Sequence, residues 1–434
     1  MAGFHLISIL KGFLGIIIIL AIALLLSENR KNIDWKFIFI GLGIQFLLAL
    51  GILYVPFIGS IFEWLGKIFI KLVDFTKAGT VFLLGDLMKP DKYGFIFLFQ
   101  TLPVIIFFSA LTSLLYYWGV IQKIVYLIAW PLRKLMVISG AEGLAAAANI
   151  FMGLSEVPLL IKAYLPKMTP SELFLVMTAG MSTISAGVMG AYIGLLGGED
   201  PTMRLLFAKH LLAASVMAAP GAIVIAKIIL PQTKQFSDRI SVPERSSGTN
   251  FLEALTKGTA QGVQIFINVA AMLVVFIALI ALINYILGGL IGHYTGLNSW
   301  VADLTNGQFT EFNLQFILGS IFAPLMWLIG VAKEDMTLVG ALLGQKLTLN
   351  EFVAFVDLNN LKNAGTFVHQ KSIIMSVYLV CGFANFGSIG MQIGAITSLA
   401  PDTRKFITKY SIKSMLAGGL VSAMSATLIG MIMI

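Results

Sequence analysis

Two carboxylates stand at matching places in an otherwise apolar chain. Glu156 lies in Gly153-Leu154-Ser155-Glu156-Val157-Pro158, and Glu351 in Leu349-Asn350-Glu351-Phe352-Val353-Ala354. A carboxylate at membrane depth costs about 3 kcal/mol or more unless it is paired or solvated, so a chain that carries two of them is expected to use them. The first expectation is a buried binding site. The rival is an intramembrane hydrolase using the two as acid and base, but neither a nucleophile with an adjacent base nor a metal motif such as H-E-x-x-H accompanies them. His5, His210, His293 and His369 are scattered, and Cys381 is the single cysteine, which excludes an intrachain disulfide and a cysteine-based metal cluster. A symporter for amino acids or dicarboxylates would favour an arginine near the carboxylates, and the nearest, Arg133, falls in a basic stretch.

The elements that must hold these groups are read from composition and pattern. With 58% hydrophobic residues, 12% charged residues and a mean hydropathy of +0.93, the chain reads as a polytopic membrane protein. Apolar runs of spanning character cover 13–26, 37–54, 95–118, 173–196, 205–230, 263–287, 373–399 and 412–434, eight in all. The first is expected to be retained as a span, since it ends in Ser27-Glu28-Asn29-Arg30-Lys31 without a small-residue cleavage site. Residues 58–75, with Glu63, Lys67, Lys71 and Asp74 recurring at helical spacing, read as an interfacial helix, and 231–250 as the one long polar loop. The net charge of +8 gathers in 28–36, 123–134, 227–245 and 404–413, which read as cytoplasmic loops, whereas 197–200 and 293–311 are acidic or neutral. The charge therefore reports topology, with both termini outside, and not a nucleic-acid partner.

The chain also repeats itself. Pro131-Leu132 with Glu142 eleven residues later matches Pro324-Leu325 with Asp335 at the same spacing; Glu156 corresponds to Glu351 with a two-residue shift, Gly180-Met181-Ser182-Thr183 to Gly382-Phe383-Ala384-Asn385, and Asp200 to Asp402. Each copy has three spans and one apolar segment too interrupted to cross, 143–165 and 336–361. An odd number of spans inverts the second copy, and the interrupted segments become re-entrant hairpins. Ser155 and Asn350 are expected to cap the second helix of each hairpin, with Glu156 and Glu351 in its first turn, favoured there by the helix dipole. Glu142 and Asp335 are expected to cap hairpin helices. Ser182, Thr183, Ser185 and Gly187 in one long helix, and Gly382, Asn385, Gly387, Ser388 and Gly390 in the other, predict unwound backbone lining a cavity. The expected fold is all-α, with eight transmembrane helices, two re-entrant hairpins, interfacial helices and inverted repeats.

These motifs resemble the concentrative nucleoside transporters. The likeness rests on Ala148-Asn149-Ile150-Phe151 before Gly153-x-Ser155-Glu156-x-Pro158, on Asn350-Glu351-Phe352-Val353-Ala354, and on Gly382-Phe383-Ala384-Asn385-Phe386 before Ser388-Ile389-Gly390. The resemblance implies import of nucleosides (uridine, cytidine, adenosine) coupled to a cation, usually sodium, by a homotrimer in a cell's inner or plasma membrane, without another cofactor. It places a scaffold at 1–119 and 262–290, and a mobile transport domain at 120–230 and 313–434, with a cytoplasmic loop at 231–261. Carried over by position, Glu351, Asn385 and Ser388 face the ribose with Phe383 packed near it, and Leu154, Ser155, Glu156 and Val188 face the base. Asn149, Met152, Thr183 and Ile184 match the sodium positions, and oxygen ligands suit a hard cation. The family often has Gln then Thr where this chain has Leu154 and Ser155, which removes one base-facing amide. Proton coupling through Glu156 is the alternative to sodium.

Overall fold

Every regular element among the described residues is helical, as a chain that must satisfy its backbone hydrogen bonds inside a bilayer requires. The computed structural model describes residues 2–235 and 250–433, so most of the expected 231–250 loop lies outside the described residues. The chain begins with α1 (Ala2–Leu25), α2 (Trp35–Tyr54) and α3 (Pro56–Leu84). Short α4 (Pro90–Tyr93) and α5 (Phe97–Gln100) lead into α6 (Pro103–Tyr117). The first repeat is α7 (Val120–Met136), α8 (Gly140–Ala148), α9 (Val157–Leu160), α10 (Pro170–Ser182), α11 (Ala186–Gly197) and α12 (Pro201–Ile229). After α13 (Phe251–Asn284), a π-helical stretch at Tyr285–Gly292, and short α14 (His293–Thr295) and α15 (Leu297–Leu304), the second repeat follows. It comprises α16 (Leu314–Leu328), α17 (Met336–Thr348), α18 (Glu351–Asn363), α19 (Gln370–Val380), α20 (Phe386–Leu399) and α21 (Arg404–Ile432).

Each repeat is thus a helix with an internal proline, a helical hairpin, a broken helix and a long closing helix. The closing helices, α12 and α21, are both 29 residues long and pack on each other. The two repeats interlock, since α10 and α19 each lie against both closing helices. In turn, α1 packs on α21, and α2 on α12, where buried Gln45 donates to Met217 O at 3.1 Å and Ser425 Oγ at 3.0 Å. Small residues bring α13 onto α6: a Cβ on Gly262 would stand 2.7 Å from Ile106 Cα, the close approach that membrane helices gain from glycine.

The expected interfacial helix is longer than its 58–75 charge pattern. As α3 it runs to Leu84, and its charged side meets α12 through Glu63 with Lys209 at 3.1 Å and Asp74 with Arg204 at 3.2 Å. Among the described residues, seven helical stretches are long and apolar enough to cross a membrane. The remaining expected span, 373–399, is divided into α19 and α20, of 11 and 14 residues. Two basic stretches expected as loops are helical. Residues 123–134 lie in α7, whose Ile121, Val125, Ala129, Leu132 and Met136 turn inward at helical spacing and leave Lys123 and Lys134 on the outer side. Residues 404–413 open α21, and Lys227 is buried in the last turn of α12.

Candidate binding site at the hairpin tips and helix breaks

The second hairpin is the more regular. Its turn is closed by Asn350, whose Oδ1 accepts from Val353 N at 2.9 Å and caps α18, so Glu351 enters the first helical turn as expected. The following break, between Val380 and Phe386, is shaped by Gly382 at φ +124°, a conformation that favours glycine. A Cβ there would also meet Ser182 O at 2.9 Å. The chain then restarts helix at Asn385, whose Oδ1 accepts from Ser388 N at 2.8 Å. That capping leaves its amide nitrogen to donate to Glu351 Oε2 at 2.7 Å. One side chain therefore caps a half-helix and fixes the carboxylate across the gap. Glu351, Asn385 and Ser388 are nearly fully buried, and the Ser388 hydroxyl has no partner among the described residues. Tyr192 of α11 stacks on Phe355, ring centroids 3.9 Å apart, and holds α18 against the first repeat.

The first hairpin departs from expectation at its tip. Ser155 is exposed and caps nothing, and Glu156 precedes the four-residue α9 instead of lying in its first turn. The Glu156 carboxylate folds back to accept from Gly153 N at 3.1 Å. Proline at position 158 and the short helix leave little room for a capped turn like that at Asn350. At the other end of the tip, Asn149 is buried; its Nδ2 donates to Ala145 O at 2.8 Å while its Oδ1 has no partner among the described residues. Leaving such an acceptor buried and unpaired costs about 1–3 kcal/mol. The turn that carries Asn149 and Met152 is tied to the first break by Ala186 N donating to Phe151 O at 2.9 Å, which sets it beside Thr183 and Ile184. Thr183 Oγ1 is turned back to Ala179 O at 3.1 Å. The two breaks touch, since Phe383 N donates to Thr183 O at 3.3 Å.

Val188 and Leu154 are buried beneath this layer. A Cβ on Gly180 would lie 3.2 Å from both Leu154 Cβ and the amide nitrogen of Gln392, which places a buried carboxamide near the leucine. Gln392 donates to Met177 O at 2.8 Å and accepts from Ser414 at 3.4 Å. Sequence reading missed Gln392, and nothing in its spacing marks it. It also passed over Lys346, which is fully buried and was visible as a lone cation in an apolar segment.

The capping expectation holds for Glu142, which forms a capping box with Ser139 and also pairs with Lys227. Asp335 does not cap α17. It accepts from Val368 N at 2.9 Å and His369 N at 3.0 Å, before the start of α19. The sequence match of 180–183 to 382–385 also fails in space, because Gly180 lies inside α10 whereas Gly382 lies in a break.

Three adjoining matches cover nearly all of the chain. Residues 14–87 match the family described as "Na+ dependent nucleoside transporter N-terminus", 98–199 "Nucleoside recognition", and 210–430 "Na+ dependent nucleoside transporter C-terminus". The chain belongs to the concentrative nucleoside transporter family. Its relatives include an uncharacterised transporter of Haemophilus influenzae, 39% identical over 98% of each chain. Sodium/nucleoside cotransporter 1 of Mus musculus is 35% identical over 98% of this chain, which spans 64% of that longer protein. Among solved structures, CNTnw in an inward-facing substrate-bound state covers 98% of this chain and 97% of its own at 35% identity, TM-score 0.87. A variant of CNTnw in an outward-facing state has a TM-score of 0.89, at 34% identity over 98% of this chain and 99% of its own. The chain is accordingly a multi-pass membrane protein of a transporter family and not an enzyme.

Proposed function

We propose that this protein imports nucleosides together with a cation, sodium in the first instance, by moving its two hairpins and broken helices as one body past a fixed scaffold. The observation that carries the substrate reading is the clamp of Glu351 by Asn385, where a carboxylate and a carboxamide meet at the starts of two half-helices. A ribose diol presents adjacent donors and acceptors, and this pair answers both without requiring charge on the ligand. Ser388, with an unpartnered buried hydroxyl, adds a third polar contact, and Phe383 an apolar wall. Leu154, Ser155, Glu156 and Val188 face the base, and the leucine makes that face tolerant of more than one base among uridine, cytidine and adenosine.

For the cation, support comes from Asn149 Oδ1, a buried oxygen beside the first break that has no donor among the described residues. Asn149, Met152, Thr183 and Ile184 supply it with side-chain or backbone oxygens, of the kind a hard cation prefers. The name of the matching family and that of the mouse relative point to sodium. Outward-facing and inward-facing forms among the CNTnw structures support alternating access. The assembly is a homotrimer in the inner or plasma membrane, a reading that rests on the family.

A second reading, proton coupling, rests on Glu156, whose half-buried carboxylate is held by the backbone of its own turn. Uptake of labelled uridine and adenosine into vesicles carrying the purified protein, under sodium, proton or no gradient, tests both. Accumulation under sodium alone supports the first reading. Accumulation under an inward proton gradient, indifferent to sodium, transfers coupling to Glu156, and no nucleoside uptake under any gradient removes the substrate assignment.

A further inference from the structure

The two breaks differ in what faces the last carbonyls of the first half-helix. A half-helix that ends inside a membrane protein presents unpaired carbonyls and the negative end of its dipole, which attract a cation. Beside the end of α10 stands Asn149, with an oxygen free to take a ligand. At the end of α19 stands Lys346, from the first helix of the second hairpin. Its ammonium donates to Leu379 O at 2.8 Å, Ser422 Oγ at 3.0 Å and Cys381 O at 3.4 Å. The Ser422 hydroxyl donates in turn to Cys381 O at 2.8 Å. All three partners of Lys346 accept, which matches the three N–H bonds of an ammonium and would leave the lone pair of a neutral amine without a donor. The side chain is fully buried.

We propose that Lys346 is a tethered cation: it fills the second repeat's counterpart of the coupling-cation site, so that a single cation from solution accompanies each nucleoside. This rests on the reading of the Asn149 region as the cation site. The inverted repeat offers two half-helix ends of the same polarity, and only one is left for an ion that must bind and leave. The other is held by a charge that cannot dissociate, so the α19 break stays formed and Asn385, four residues beyond Cys381, stays aligned on Glu351. Lys346 is a positioning residue, since it touches neither the nucleoside site nor the solution ion.

The space-filling and charge roles of the side chain predict opposite orders for two substitutions. Lys346→Met fills the cavity without charge; Lys346→Ser leaves room and an oxygen for a second solution ion. The measurement is uridine uptake and accompanying charge in proteoliposomes across a sodium series. Wild type is expected to show a Hill coefficient near one and one charge per nucleoside. Lys346→Arg, which keeps charge and donors, stays within about threefold of wild-type uptake with the same coefficient, a loss of well under 1 kcal/mol. Lys346→Met inserts in the membrane but does not concentrate uridine, whereas Lys346→Ser recovers uptake at high sodium with a coefficient near two and two charges per nucleoside. Uptake by Met equal to or above that by Ser, or a coefficient of one in Ser, overturns the proposal. Should neither variant insert, loss of uptake in Arg or two charges per nucleoside in wild type overturns it. Wild-type uptake indifferent to sodium overturns the sodium reading instead, and the Met against Ser contrast is then read against the proton gradient.

Discussion

The two hairpins carry the same kind of residue at the same kind of place and build opposite tips. In the second, α17 and α18 have 13 residues each, Asn350 caps the turn, and Glu351 is clamped by Asn385. In the first, α8 has 9 residues and α9 only 4; Ser155 is exposed, Glu156 bonds its own loop, and Asn149 keeps an unpartnered oxygen. A regular helix start commits its polar groups to fixed partners, while a short irregular one leaves them for ligands. The difference is consistent with the proposed roles, in which the second tip grips a neutral solute and the first takes an exchangeable ion and the variable part of the substrate.

The strongest way to break this comparison lies beneath the tips, where the repeats anchor their hairpins differently. Glu142 pairs with buried Lys227, whereas Asp335 receives two backbone N–H groups. Glu142→Ala leaves a buried cation unpaired and is expected to cost about 3–5 kcal/mol of stability. Asp335→Ala is expected to cost less, about 1.5–3 kcal/mol, the worth of hydrogen bonds to a charged group, since the donating residues Val368 and His369 are exposed and water can replace the carboxylate. Thermal unfolding of both variants in detergent checks the order, and equal losses would mean that the two anchors are energetically alike.

At the tips, Glu351→Gln and Asn385→Ala are each expected to lower uridine uptake about 100-fold, about 2.7 kcal/mol of lost interaction, with protein still inserted in the membrane. The analogous Glu156→Gln is expected to lose less, because Glu156 is held only by the backbone of its own turn and not by a side chain from the helix break of its repeat. Uptake assays on the three variants read this, and near-normal transport by either second-repeat variant removes the ribose assignment.

The ion side of the comparison is sharpened by Asn149→Ala, expected to raise the sodium concentration for half-maximal uptake about tenfold, about 1.4 kcal/mol of lost interaction. Nucleoside must then increase sodium affinity by the same factor as sodium increases nucleoside affinity. Isothermal binding titrations of each ligand in the presence and absence of the other measure both factors. Unchanged sodium dependence in Asn149→Ala would place the ion elsewhere.

The smallest effect concerns Leu154. Leu154→Gln restores an amide next to Gln392 and is expected to change the ratio of uridine to adenosine uptake by the worth of one hydrogen bond, about 0.5–1.5 kcal/mol, with ribose dependence intact. Competition assays with the full nucleoside set would show the change; identical profiles would mean that Leu154 does not face the base.

The sequence by itself determined the helical membrane fold, the internal repeat and the two interrupted hairpin segments, because these depend on local pattern: apolar runs, proline and glycine positions, and a capping asparagine followed by a carboxylate. It did not distinguish amphipathic α7 from a basic loop, since Lys123 and Arg133 carry the charge signal while the inward stripe from Ile121 to Met136 acquires meaning only once α8 packs against it. Matching by motif aligned Gly180 with Gly382, although one is helical and the other forms the break, because short Gly-rich words recur without regard to helix ends. Only the tertiary structure decided where side chains reach. Asp335 turned from its own helix to the backbone before α19, and Ser155 faced outward in place of capping. Asn385 met Glu351 across 34 residues, and Lys346 found its three acceptors on α21 and at the end of α19. Those partners are distant in sequence and adjacent only once the helices of the second repeat pack on one another, so the polar pairing that defines the site is a property of packing.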